Sequence, residues 1–248
     1  MSRRTTFALA WGLALLPFAS AAQVPAVVPN PVSIERGAGD FRVSRSTPIV
    51  ADRGDAGARR AAANFAELLG RSAGFKPAIF DDGAGEGTML FRRVPELAGG
   101  PEAYRVEVTP KSVVVSASGD AGFIYGAATL WQLMGEGKAK ASIPAVTIDD
   151  APRFAWRGLM LDSARHYQSP RFITSLIDWM ALHKLNVLHW HLTDDQAWRL
   201  EIRKYPRLTQ VGAWRVPAGA GPQADIDPQT GKPRLYGGWY SQETVRSL

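Results

Sequence analysis

The chain has no cysteine. That excludes disulfides, a thiol nucleophile, thiolate metal ligation and a lipid-modified cysteine, so stability must come from packed cores, as is usual for larger domains. Concentrated positive charge is missing too. The net charge is +6, but the basic residues are dispersed, with only pairs such as Arg59-Arg60 and Arg92-Arg93. No predicted helix carries a basic face, so a solvated surface explains the charge better than nucleic acid or an anionic membrane does. A bilayer-spanning run is also absent. The apolar stretch over 7–18 is interrupted by Pro17 and falls short of the roughly 20 residues that a spanning helix needs.

Residues 1–22 have the pattern of a secretory signal instead. Arg3 and Arg4 give a positive start, 7–18 an apolar stretch, and Ala19-Ser20-Ala21 a small-residue cleavage site. The mature chain is expected to begin near Ala22 or Gln23, exported to the periplasm or secreted. Ser2-Arg3-Arg4 lacks the full twin-arginine pattern.

Residues 23–150 predict a first domain of α+β type, an antiparallel sheet with helices on one face. Pro25, Pro29 and Pro31 make an extended lead-in, and 41–50 reads as short strands. A helix over 58–69 buries Ala58, Ala61, Ala62, Phe65, Leu68 and Leu69, with Gly70 placed to end it. Strand candidates at 75–80 and 88–92 flank the turn 81–87. Its glycines follow a strand, but no apolar helix follows them, so a phosphate loop is a poor reading. Alternation over 104–108, a turn and Val113-Val114-Val115 make a hairpin. A helix follows from Ala121 through Leu133, and 143–148 reads as an extended link to the second domain, 151–248.

The second domain is organised around 156–198. Its apolar run at 157–162 is short enough for a buried strand. Ser169-Pro170 is a helix start, because serine can accept from a free backbone N–H and proline fits the first helical position. Phe172, Ile173, Leu176, Ile177 and Met180 then form one apolar stripe that carries a helix to about Lys184. A second buried strand follows over 187–193. Strand, helix and strand at this spacing form a βαβ unit with parallel strands. In such sheets and barrels the working groups stand at the carboxyl ends of the strands. Here those positions hold Asp162, Arg165 and His166, and then Asp194 and Asp195.

Three segments, RGLMLDSARHY, KLNVLHWHLTDDQAWRLEI and YPRLTQVGAWR, fall in order over 157–215. This stretch resembles the opening of the catalytic barrel of the glycoside hydrolase family 20 β-N-acetylhexosaminidases. YRVEV, GFIYGAATLWQL and IPAVTIDDAPRFAWRG likewise resemble that family's non-catalytic α/β support domain and its junction with the barrel. The resemblance implies hydrolysis of terminal non-reducing β-linked N-acetylglucosamine or N-acetylgalactosamine by substrate-assisted retention, an exception to the two-carboxylate scheme. It implies no cofactor and no metal. The partner it implies is an N-acetylhexosamine-terminated oligosaccharide or glycoconjugate, such as chitobiose, with no nucleic acid and no membrane span.

Two residue roles carry over from the resemblance. Arg165 matches the arginine that holds the hydroxyls of the terminal sugar, and its fork suits paired oxygens. An ion pair with Asp162 is the plainer alternative. Asp194 matches the aspartate that bonds a histidine from a later strand, which in turn contacts the acid. Asp195 is as well explained by capping its own loop. The family's adjacent Asp and acid Glu have no counterpart, since no Asp-Glu dipeptide occurs in the chain.

A full barrel takes about 250 residues, whereas 157–248 supplies two of eight strands. Ser241 opens a helix that the sequence ends after barely two turns, so the chain is expected to be truncated and inactive alone. Two alternatives stand beside the enzyme reading. His189 and His191, two apart on one strand, suit a metal-dependent amidohydrolase-type barrel, although no histidine follows Asp195 to complete a ligand set. An inactive carbohydrate-binding remnant is the other. Six tryptophans fall from Trp156 to Trp239; Trp156, Trp179 and Trp190 read as core, and Trp198 and Trp214 are undecided between core and sugar stacking.

Overall fold

The structure, a computed structural model, describes residues 25–134, 142–217 and 226–248. The signal sequence read over 1–22 lies outside the described residues, as does part of the glycine-rich loop after 217.

The first unit contains β1 (Ser33–Arg42), β2 (Ile49–Ala51), α1 (Ala56–Ala73), β3 (Ile79–Phe80), β4 (Met89–Arg93), β5 (Tyr104–Val108), β6 (Val113–Ala117), α2 (Asp120–Leu133) and β7 (Ser142–Asp150). The strands form one sheet in the order β1-β7-β5-β6-β4-β2-β3. The sheet is mixed, not antiparallel throughout: β4 pairs in parallel with both β2 and β6, and β2 with β3. The cause is α1, which carries the chain from β2 back over the sheet and so returns β3 in the same direction.

Helix α1 begins where the Asp55 side chain accepts from the Ala58 backbone N–H, and ends at Gly74, whose φ is 78°. It runs a turn beyond the expected stop, because Gly70 stays helical at a cost of about 1 kcal/mol and Gly74 takes the left-handed position. Phe65, Phe91 and Phe123, each buried, pack at tilted angles with ring centroids 6.3 and 6.4 Å apart and join α1 and α2 to the sheet.

The segment at 143–148 is no link. It belongs to β7, which lies inside the sheet between β1 and β5. Pro144 is tolerated within it because it faces Asp40 where the β1 register shifts. Gly39 takes a φ of 81° in the same irregularity.

The second unit holds β8 (Gly158–Asp162), α3 (Pro170–Leu182) and β9 (Val187–His191), and the two strands are parallel, with Asp162 opposite His191. Ser169 caps α3 by accepting from the Phe172 N–H. Beyond β9 come β10 (Thr193–Asp194), β11 (Ala197–Trp198), α4 (Arg207–Gln210), β12 (Trp214–Arg215), β13 (Tyr236–Gly237) and α5 (Gln242–Ser247), the last capped by Ser241. Two of the three tryptophans read as core are not buried: Trp156 is 65% exposed and Trp179 57%. A two-stranded sheet with one helix offers no opposing layer to cover them. Trp190 is half-buried and donates to Ser163 Oγ at 2.8 Å.

Polar side chains fix how the units meet. Arg157 donates to both oxygens of Glu102 at 2.9 and 3.0 Å and to the Tyr125 hydroxyl at 2.7 Å. Lys184 is buried at a φ of 60°, and its ammonium reaches Tyr104 Oη at 2.6 Å and Asp150 Oδ2 at 3.0 Å. Burial lowers the Lys184 pKa, opposed by the Asp150 charge.

Candidate active site

The ends of β8 and β9 are tied together before any charged side chain is considered. Ser163 and Ala164, which follow β8, both donate their N–H groups to the His191 carbonyl, at 3.0 and 3.1 Å. The chain then turns over Asp162, whose Oδ1 accepts from the Arg165 N–H at 2.9 Å and whose Oδ2 accepts from Arg165 Nη1 at 2.7 Å. The Asp162 pair weighed against a sugar contact therefore forms. It does not use up the guanidinium, which is still 51% exposed.

Arg165 Nη2 also lies 3.3 Å from Asp194 Oδ2, on the loop that follows β9. The same oxygen is 2.9 Å from His191 Nε2, and Asp194 Oδ1 accepts from the Asp195 N–H at 2.8 Å. Two carboxylates thus aim an exposed planar cation at the carboxyl end of the two strands. Such a fork can accept paired ligand oxygens without moving.

The electrostatics agree with the geometry. Burial raises the Asp162 pKa, but bonds from the Arg165 backbone and side chain outweigh it and hold the carboxyl below its ordinary value. The Asp195 N–H, with His191 and Arg165 behind it, holds Asp194 below its own. The two aspartates in turn raise the Arg165 pKa, Asp162 first. All three groups are charged at neutral pH.

The remaining candidates separate. His166 and Asp195 are exposed on their loops. His189 is exposed and pairs across the sheet with Met160, whereas His191 turns to Asp194. Among the described residues no three His, Asp or Glu side chains gather as a metal set, and between Asp162 and Asp194 stands a guanidinium. His191, offered above as a metal ligand with His189, instead bonds the Asp194 carboxylate three residues on. Nothing in the sequence marked Arg199, which is fully buried beneath the same loops.

Comparison with known proteins covers both units. Residues 24–151 match the family described as glycosyl hydrolase family 20, domain 2, and residues 154–248 match glycosyl hydrolase family 20, catalytic domain. The β-hexosaminidase of Vibrio furnissii is 34% identical over 240 residues, covering 94% of this chain and 37% of that protein. The β-N-acetylhexosaminidase of Cellulomonas fimi is 35% identical over 206 residues, covering 82% and 41%. Among solved structures, the GH20 exo-β-N-acetylglucosaminidase of Vibrio harveyi in complex with N-acetylglucosamine aligns with a TM-score of 0.74 at 34% identity, covering 91% of this chain and 34% of that one. The Streptomyces plicatus N-acetyl-β-hexosaminidase in complex with Thio-NAglucal aligns at 0.72 and 32% identity, covering 89% and 42%. The chain spans 34–42% of the length of these proteins.

Proposed function

The chain belongs to glycoside hydrolase family 20, and we propose that the whole protein releases terminal β-linked N-acetylglucosamine or N-acetylgalactosamine from oligosaccharides or glycoconjugates. One observation carries the reading: Arg165, held between Asp162 and Asp194 at the ends of two adjacent parallel strands, is poised for sugar hydroxyls. A relative from Vibrio harveyi, 35% identical over 194 residues, is named N,N'-diacetylchitobiase, which supports chitobiose as a substrate to try first. In this proposal β8, α3 and β9 are the first staves of a (β/α)₈ barrel.

The chemistry is substrate-assisted retention. The 2-acetamido carbonyl of the bound sugar attacks the anomeric carbon as a glutamic acid protonates the leaving oxygen, and water then opens the resulting oxazolinium ion. Arg165 holds the sugar's hydroxyls, and Asp194 fixes Arg165 while serving the histidine relay to the acid. The acid and its neighbouring aspartate are not in this chain, which has no Asp-Glu dipeptide. We assign the chain alone a sugar-contacting corner without turnover. Export rests on Arg3, Arg4, the apolar stretch and Ala19-Ser20-Ala21; sequencing the amino terminus of the exported product tests it.

The direct test incubates the whole protein with chitobiose and with β-linked N-acetylgalactosaminides, following product and anomer by NMR. Release of the β-anomer supports retention. No release from any N-acetylhexosaminide overturns the assignment.

A further inference from the structure

Arg199 is fully buried, and among the described residues none of its bonds is to a carboxylate. Its guanidinium donates instead to four backbone carbonyls. Nε reaches Ser163 at 2.9 Å and Nη2 reaches Ala164 at 3.1 Å, while Nη1 bonds both Ala213 and, at 3.1 Å, Gly238. The residue's backbone N–H donates to Leu192 at 2.9 Å, and its carbonyl accepts from Tyr240 at 2.7 Å.

These partners are not scattered. Ser163 and Ala164 immediately precede Arg165, and Leu192 stands two residues before Asp194. One side chain and its own amide therefore grip both loops that bring Arg165 to Asp194. A desolvated cation bonded to backbone carbonyls, with no carboxylate partner among the described residues, is a costly way to fill space. What it supplies, and an apolar side chain cannot, is a rigid planar fork that reaches three backbone segments at once.

We propose that Arg199 is a positioning residue for sugar recognition: it holds the Ser163-Ala164 turn against β9 so that Arg165 meets the ring hydroxyls in a fixed orientation. The inference rests on the reading of Arg165 as the sugar-holding residue and adds a residue that never touches the substrate. Misplacing a binding group by about 1 Å costs on the order of a hundredfold in rate, so a loosened turn is expected to register in catalysis even where the fold survives.

The test uses the whole protein and compares a chromogenic β-N-acetylglucosaminide with analogues lacking one ring hydroxyl at a time. The readout is the preference, the ratio of kcat/KM for the hydroxylated substrate to that for each analogue. Arg165→Ala calibrates it, since loss of the hydroxyl-holding group collapses the preference. Arg199→Lys, which keeps the charge but not the fork, is expected to lower kcat/KM roughly 10- to 100-fold and to shrink the preference for the same hydroxyl. A merely structural role lowers the rates on substrate and analogues alike, and an unchanged preference in Arg199→Lys overturns the proposal.

Should Arg199→Lys fail to fold, Gly237→Ala takes its place. A Cβ there meets the Ala213 carbonyl oxygen at 2.0 Å and Arg199 Nη1 at 3.0 Å, so it disturbs the grip without removing the guanidinium; an unchanged preference in that variant is equally contrary. If Arg165→Ala itself leaves the preference intact, the sugar-holding reading has failed, a result distinct from failure of the Arg199 role.

Discussion

Arg165 Nη2 and Asp194 Oδ2 lie 3.3 Å apart although each belongs to a different strand-to-loop junction. They meet because β8 and β9 are parallel neighbours in register, so their carboxyl ends leave the sheet side by side. Asp162, at the end of β8 itself, completes the clamp from the other side.

Removing one jaw of that clamp should act through the other residue. Asp194→Asn in the whole protein is expected to lower kcat/KM about tenfold or more by releasing Arg165. Its effect should be smaller once Arg165 is already alanine, as contacting residues couple. A double-mutant cycle on a chromogenic N-acetylglucosaminide measures this; strictly additive losses contradict it.

The junction between the units depends on Lys184. Lys184→Met keeps the apolar stem but leaves the largely covered Asp150 carboxylate without its cation, which is expected to cost up to about 3 kcal/mol of stability. Denaturant unfolding of the chain checks this, and adding Asp150→Asn should recover part of the loss. A Lys184→Met chain as stable as the original would show the ion pair to be idle.

Acid should weaken the same junction in a defined direction. Hydrogen bonds from Arg157, against the opposing effect of burial, hold the Glu102 carboxyl below its ordinary 4.5; within the first unit, those from Arg93 likewise hold Asp55 below 3.8. A depressed carboxylate contributes stability that is complete above its unfolded value and is lost as pH falls through the folded one. Unfolding free energy is therefore expected to decline below about pH 4.5, and Glu102→Gln to flatten part of that slope. A steeper slope in the variant would reverse the sign argued here.

The two units should differ when separated. Residues 24–151 contain a sheet of seven strands with both helices packed on it, and are expected to melt cooperatively alone. Residues 154–248 carry a two-stranded sheet with open edges, with Met160 56% and Trp179 57% exposed, and are expected to aggregate or be proteolysed. Size-exclusion chromatography and thermal melts of both pieces decide; a soluble, cooperatively melting 154–248 would contradict the account.

Much of this was legible in the residues. Ser169-Pro170 and the stripe from Phe172 to Met180 fixed α3, and the polar residues after two apolar runs marked the site, because strand ends are where a buried sheet admits charge. What was not legible depended on distant partners. The extended run 143–148 gave no sign of its partners β1 and β5, and its Pro144 is accommodated only where the β1 register shifts opposite it. Trp156 and Trp179 looked like core because large aromatic residues usually are, but among the described residues no layer packs over them. Arg199 shows the limit most clearly. An arginine in a polar stretch gives no sign that four carbonyls from three segments converge on it.

The central claim, that Arg165 holds the terminal sugar, is tested most directly by steady-state kinetics of Arg165→Ala in the whole protein with a chromogenic β-N-acetylglucosaminide, alongside its thermal midpoint. The account predicts a fall in kcat/KM of roughly a hundredfold or more with little change in the midpoint. Kinetics indistinguishable from those of the unaltered protein would contradict it.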